Sequence, residues 1–309
     1  MNTLSTLERR AFSRLTTPAG RMLVVAADQR NGMKAVMNGA EGPEGISVEE
    51  LAEAKSDLVA HLGNHAPAIL LDPEVALPKV VDEGTLAAGT ALVVGMDASG
   101  FETVDGLRYT RYVPGVTAAT VRELGGDAAK MLWYLRPDQP ASVERVAAEM
   151  EALVADCEAA GLLLIVEILT YRLEDESPEE YAARIGQLVV DSARVSVEHG
   201  AKVLKLAYPG SAQACAEVSA AAGGVPWAVL SAGVDHATFV EQVRTAVEHG
   251  AAGAMAGRSL WKDSLAMTAG EREELLSTRA QPRLAELSAT IDGAVRDAAS
   301  APGAVGVPA

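Results

Sequence analysis

Aromatic residues are scarce in this 309-residue chain, at 4% of the total, and only two cysteines occur, Cys157 and Cys215. The core must therefore be built from Ala, Val and Leu. Both cysteines fall in helix-like segments with no metal or redox spacing, so they read as packed free thiols. Basic charge is also short: 26 Lys and Arg stand against 42 Asp and Glu, for a formal net charge of −16. That balance excludes a general affinity for nucleic acid or anionic membrane, while leaving room for a local cationic pocket. No apolar run approaches the roughly 18 residues of a membrane span. The N-terminal "MNTLSTLERRAF" lacks the apolar core of a signal peptide, so a cytoplasmic location is expected. No GxGxxG follows a strand, which argues against a dinucleotide fold.

What the chain does have is alternation. Eight short apolar runs read as strands: 22–30, 68–74, 91–99, 128–137, 162–171, 201–210, 226–233 and 251–258. Between them lie segments of helical period, such as 47–62, 141–161 and 177–200. Ser47 with Glu50 and Ser177 with Glu180 have capping-box spacing, and Gly161, Gly200 and Gly250 stand where helices should stop. The phrase "VEHGA" joins a helix end to a strand start twice, at 197–201 and 247–251. Eight such units imply a parallel sheet covered by helices, and specifically a single-domain (β/α)8 TIM barrel over residues 1–299. The second and third helices are weakly written, 31–45 reads as a loop at the mouth, and 300–309 reads as a disordered tail.

In such a barrel, chemistry sits at the carboxyl ends of the strands. Those ends carry Asp28, Gln29, Asp72, Glu74, Asp97, Lys130, Glu167, Lys205, Ser231 and Arg258. Parity separates them, because alternate strand residues face opposite sides. In "AKVLKLAYPG" (201–210), Leu204 and Leu206 suit the helix-facing side, which turns Lys205 inward with Val203 and Ala207. Lys202 has the other parity and reads as a solvated outer residue. The same rule sends Glu167, Lys130 and Asp28 toward the axis. A strand lysine is ordinarily an edge or snorkelling residue, and four charges on four strands could form a purely structural network. Such a network is costly without a purpose, however, and a desolvated lysine beside another cation has a lowered pKa. Its neutral amine is a nucleophile for carbonyls. The chemistry expected is Schiff-base formation on a ketose or keto acid, with Glu167 or Asp28 moving protons and no metal or other cofactor. The histidines offer little to a metal: His61 and His65 are spaced i, i+4 but precede a strand, at the wrong end of the barrel. The turns "LSAGVD" (230–235) and "MAGRSLW" (255–261) leave the last two strands, where barrels build anion sites from backbone N–H groups. Gly233 and Gly257 permit close approach there, and Ser231 and Arg258 add a hydroxyl and a cation.

Taken in order, "ADQR" (27–30), "DPE" (72–74), "EILTY" (167–171), Lys205, "LSAGV" (230–234) and "AGRSLW" (256–261) resemble the class I tagatose-1,6-bisphosphate aldolase family over about residues 20 to 295. The related sulfofructose-phosphate aldolases share this pattern. The resemblance implies Schiff-base cleavage of a phosphorylated ketose to dihydroxyacetone phosphate and an aldehyde, with sulfofructose phosphate as the alternative substrate, in a homo-oligomer. A protein that senses sugar phosphates without catalysis is a more distant alternative. By this resemblance Lys205 is the Schiff-base lysine, Lys130 the second active-site lysine and Glu167 the proton-transfer carboxylate. Asp28 and Gln29 hold substrate hydroxyls, and Ser231, Gly233, Gly257 and Arg258 contact an anion. Two departures stand out: Leu206, Ala207 and Tyr208 follow the lysine where the family has Val-Glu, and Arg136 resembles the sulfosugar branch.

Overall fold

The apolar runs do become strands, and they close on themselves. In the computed structural model, which describes residues 3–39 and 42–300, eight parallel strands form a closed barrel. They are β1 (Met22–Ala27), β2 (Ala68–Leu71), β3 (Ala91–Gly95), β6 (Ala128–Tyr134), β7 (Leu163–Leu169), β8 (Leu204–Ala207), β9 (Trp227–Leu230) and β10 (Gly253–Ala256). Two further strands, β4 (Asp97–Val104) and β5 (Leu107–Tyr112), form an antiparallel hairpin in the third connection. That hairpin was not foreseen. The run 91–99 reads as one strand, but it ends at Gly95, and Asp97 already belongs to the hairpin.

Parity holds around the wall. Val24, Ala26, Leu70, Val93, Ala128, Ile165, Val203, Ala228 and Met255 fill the axis. Leu23, Ile69, Met131, Val166, Leu204, Leu206 and Val229 face the helices. The narrow interior takes mostly small and branched residues, and the large rings go outward: Trp133 and Trp227 are fully buried between strands and helices. Gly253 is required at its position. A Cβ there, at φ +149°, would fall 1.9 Å from the carbonyl oxygen of Met22, where β10 meets β1.

The outer layer is α2 (Asn31–Asn38) and α3 (Val48–His61) after β1, then α4 (Ala76–Asp82), α5 (Ala118–Glu123), α6 (Pro140–Ala159), α7 (Pro178–Glu198), α8 (Ala212–Ala222) and α9 (His236–Glu248). After β10 come α10 (Arg258–Trp261), α11 (Ala269–Leu275) and α12 (Gln281–Ser300). Complete capping boxes open α3 at Ser47 and α7 at Ser177. Gly161, Gly200 and Gly250 all have positive φ after their helices. The two "VEHGA" copies close alike, with Ala201 N–H donating to Ser196 O and Ala251 N–H to Ala246 O, each at 2.9 Å. The weakly written helices α4 and α5 are indeed short, at 7 and 6 residues. The segment 31–45 is not wholly a loop: it begins with α2, which buries Met33 and Met37 four residues apart on one face. The tail expected at 300–309 lies outside the described residues, apart from Ser300 at the end of α12.

At the base of the barrel α1 (Thr6–Arg14) acts as a plug. It inserts Ala11, and Leu15 just beyond it, into the axial cluster. Lys202 serves this joint and is not freely solvated: its Nζ lies 2.8 Å from Glu8 and 2.8 Å from Glu158. Both cysteines are buried free thiols, and burial pushes them up, to about 12 for Cys157 and about 11 for Cys215. No helix among the described residues is long and apolar enough to cross a membrane.

Candidate active site

Strand register brings the charges together. Leu132 on β6 pairs with Glu167 on β7, and Glu167 pairs with Lys205 on β8, so the last two are neighbours on the inner wall. Lys205 Nζ donates to Glu167 Oε2 at 2.9 Å. The same oxygen lies 2.8 Å from Lys130 Nζ, which rises from two residues deeper on β6. Lys130 also touches Asp28 Oδ2 and Asp97 Oδ1, each at 2.8 Å. One amine is thus held by three carboxylates, one from the β1 connection, one from the hairpin and one from β7, and a second amine shares the last of them. Lys130, Glu167 and Lys205 are 1%, 5% and 4% exposed, so these contacts are made with little water.

The electrostatics follow from that packing. Burial alone would strip the Lys130 proton, but Asp28, Asp97 and Glu167 outweigh it and hold its pKa well above the ordinary lysine range. Burial likewise opposes ionisation of Asp28, yet the amines of Lys130, Lys205 and Lys55 hold its carboxyl far below the carboxylate range. Asp97 goes the other way: burial pushes it up, Lys130 opposes, and the carboxylates of Asp28 and Glu167 carry it above its ordinary value. Among the described residues, Asp28 Oδ1 and Gln29 Oε1 are buried acceptors with no protein hydrogen bond. Buried polar atoms are nearly always paired, so two open acceptors in one place mark where a ligand donor can bind.

These groups line a cavity of about 620 Å3 at the carboxyl end of the barrel. The nine residues to which the family resemblance gives a role all lie on its wall: Asp28, Gln29, Lys130, Glu167, Lys205, Ser231, Gly233, Gly257 and Arg258. The last four form a cradle between β9 and β10. Ser231 Oγ accepts from Gly257 N–H at 3.4 Å, and Lys262 Nζ fixes the turn by donating to Gly233 O at 2.8 Å. Gly233 has φ +83°, and a Cβ there would sit 3.1 Å from Arg258 Cζ. A Cβ on Gly257 would lie 3.2 Å from Ala26 O and 3.5 Å from Gln29 Nε2. Arg258 is exposed and makes no side-chain ion pair among the described residues, which leaves its guanidinium open to an anion.

Other strand-end charges point elsewhere. Asp72 turns away from the axis to pair with the buried Lys55 of α3 at 2.5 Å. Glu74 pairs with Arg30, whose Nη2 also donates to Asp97 O at 2.6 Å. Arg136 is fully buried against Asp138 and Glu176 and donates to Tyr171 O, so it is no open anion contact and loses its value as a sulfosugar cue. Tyr208 packs with the helix-facing core and Leu206 is buried in the outer layer. Only Ala207 keeps the parity of Lys205, and its methyl carries no charge to the site. None of the five histidines lines the cavity. Asp97 was noted in sequence as a strand-end charge but not joined to the cluster. Its signal was parity, two residues beyond Gly95 and four beyond Val93. Tyr134, also on the cavity wall, was missed.

A closed (β/α)8 barrel with a buried lysine–carboxylate cluster at the carboxyl end of its strands and a glycine-lined cradle on the last two fits a barrel lyase. Residues 22–263 match the DeoC/LacD family aldolase, and the chain belongs to that family of carbon–carbon lyases. It is 26% identical to a tagatose 1,6-diphosphate aldolase of Listeria monocytogenes serotype 4a (strain HCC23), over 92% of this chain and 91% of that one. It is 27% identical to tagatose 1,6-diphosphate aldolase 2 of Streptococcus pyogenes serotype M1, over 94% and 96%. Among solved structures, a Schiff base-forming fructose-1,6-bisphosphate aldolase superposes with a TM-score of 0.63 at 17% identity, covering 93% of this chain and all of that one.

Proposed function

We propose that this aldolase works through a Schiff base on Lys205 and cleaves a ketohexose 1,6-bisphosphate of the tagatose or fructose type. The observation that carries the reading is the single oxygen, Glu167 Oε2, held between Lys205 Nζ at 2.9 Å and Lys130 Nζ at 2.8 Å. A nucleophilic amine needs a nearby base to take its proton and return it. Lys205 adds to the C2 carbonyl to give a carbinolamine, and Glu167 delivers the proton with which water leaves. The resulting iminium withdraws electrons as Glu167 takes the proton of the C4 hydroxyl. The C3–C4 bond then breaks, its electron pair passes into the enamine, and the aldehyde departs. Protonation at C3 and hydrolysis return Lys205 and release dihydroxyacetone phosphate.

Lys130 stays protonated throughout and fixes the three carboxylates around it. The open acceptors Asp28 Oδ1 and Gln29 Oε1 suit substrate hydroxyls. The cradle of Ser231, Gly233, Gly257 and Arg258 suits the C1 phosphate. Substrate class is supported by the tagatose-diphosphate relatives, and the 620 Å3 cavity has room for six carbons and two phosphates. A sulfofructose phosphate would share the mechanism, but its residue cue, Arg136, is occupied by Asp138 and Glu176. The direct test compares cleavage rates on tagatose 1,6-bisphosphate, fructose 1,6-bisphosphate and 6-deoxy-6-sulfofructose 1-phosphate. Fastest turnover of a bisphosphate is expected, and preferential cleavage of the sulfonate would overturn that assignment.

A further inference from the structure

Around the closed barrel β6 is the fourth strand and β10 the eighth, so they stand across the axis from each other. The anion cradle belongs to β9 and β10, and Lys205 to β8. On the reading of Lys205 given above, a sugar held by its C1 phosphate and its C2 carbonyl must run its C4–C6 half over Glu167 toward β6. The residue waiting there is Tyr134. It shares the inward parity of Ala128 and Lys130 and pairs with Leu169, one inward row beyond Leu132, Glu167 and Lys205. That row lies roughly 7 Å nearer the mouth at the usual strand rise.

The Tyr134 ring is clamped. Phe101 of the β4–β5 hairpin meets it edge-on at 5.3 Å, and Tyr171 at 6.2 Å. Its backbone N–H donates to Thr110 Oγ1 at 3.2 Å, and Arg108 N–H donates to Tyr171 Oη at 2.9 Å, so the hairpin is fastened both to Tyr134 itself and to its neighbour Tyr171. Tyr134 lines the cavity, yet its hydroxyl makes no hydrogen bond to a described residue. A held phenol with a free O–H is a preorganised donor. Burial, reinforced by the Asp97 and Glu167 carboxylates, raises its pKa, which keeps the proton on.

We propose that Tyr134 donates its hydroxyl proton in a hydrogen bond to an oxygen of the departing aldehyde half, making it a specificity-determining contact for that half, with the hairpin as its support. The test is run in the condensation direction, with dihydroxyacetone phosphate and glyceraldehyde 3-phosphate varied separately, on the wild type, Tyr134→Phe and Phe101→Leu. Tyr134→Phe is expected to raise the KM for the aldehyde roughly 3- to 10-fold, the range for one neutral hydrogen bond, and to leave the KM for dihydroxyacetone phosphate unchanged. Phe101→Leu keeps the hydroxyl but frees the ring, and should shift the aldehyde KM in the same direction by less. A purely packing role would move both KM values together or neither, and either result overturns the assignment. Borohydride trapping of the triose separates the two ideas. No adduct on the wild type refutes the Lys205 reading and this one with it, whereas normal adducts on wild type and Tyr134→Phe with an unchanged aldehyde KM refute Tyr134 alone. Loss of the adduct in Tyr134→Phe also overturns it, since the ring would then be supporting the triose end.

Discussion

Lys55 and Lys130 are both buried amines near the carboxyl end of the barrel, one outside the strand wall and one inside it. Lys55 donates to Asp72 Oδ2 at 2.5 Å and to Ala27 O at 2.6 Å. The other Asp72 oxygen accepts from the N–H groups of Val75 and Ala76, at 2.7 and 3.4 Å. That pair is closed, with both oxygens occupied by the chain itself. The Lys130 cluster is open: it gathers three carboxylates around one amine, lends one of them to Lys205, and still leaves Asp28 Oδ1 and Gln29 Oε1 unpaired above a cavity. The two amines are almost equally buried, at 0% and 1% side-chain exposure. What separates the two regions is that the closed pair spends its bonding capacity on the chain itself, whereas the Lys130 cluster borders a cavity and keeps two acceptors without a protein partner.

The largest effect that would break this contrast is expected from Lys130→Met. Removing one partner from a buried cluster costs about 3–5 kcal/mol, and here it strands three carboxylates. The pH dependence should change as well. In the wild type, Lys130 has a raised pKa, so its contribution persists below the unfolded value of about 10.4 and is lost as pH rises through the folded value. Asp28 is held low, so its contribution is present above about 3.9 and lost as pH falls through the folded value. Without the amine the carboxylates retain protons that the unfolded chain releases, so the variant should be less stable to urea at pH 8 than at pH 5. Wild-type stability at both would contradict the cluster. Next in size, Glu167→Gln should slow cleavage by about 10²-fold or more, and should also lower the urea midpoint, because two buried amines lose the carboxylate they share; an unchanged rate would remove Glu167 from proton transfer. The smallest net effect belongs to the closed pair when both of its partners are replaced together. Lys55→Met alone should destabilise by about 3–5 kcal/mol, and adding Asp72→Asn should restore most of that, since the amide oxygen keeps the Val75 and Ala76 N–H bonds while the unpaired charge is removed. The folded double variant should turn over within a few fold of the wild type. A catalytic collapse there would mean that the outer pair, too, takes part in the chemistry.

Much of this was readable from residues alone, because it rests on local period. Eight strands, their parity, the capping boxes at Ser47 and Ser177 and the stops at Gly200 and Gly250 are short-range patterns. Parity in turn carried the inward placement of Lys205, Glu167, Lys130 and Asp28 without any knowledge of contacts. What escaped depends on partners distant in sequence. Lys202 looked solvated because its acceptor, Glu8, lies 194 residues away, and the burial of Arg136 against Glu176, 40 residues on, leaves no local trace either. The hairpin was missed although a signal was present: Asp105-Gly106, with φ of +49° and +77°, is the dipeptide that tight hairpins favour. Missing it also concealed the environment of Asp97 and Tyr134, whose placement depends on that insertion. In "NGMKAVMN" the glycine and asparagines suggest a loop, but burying Met33 and Met37 against the core overrides that local preference.

The most direct test is borohydride reduction of the protein in the presence of dihydroxyacetone phosphate, followed by peptide mass mapping. The expected product carries one three-carbon adduct, on Lys205, with the carboxylate-bound Lys130 and the closed Lys55 unmodified. An adduct on either of those lysines, or none at all, would contradict the division of labour between the open and closed sites.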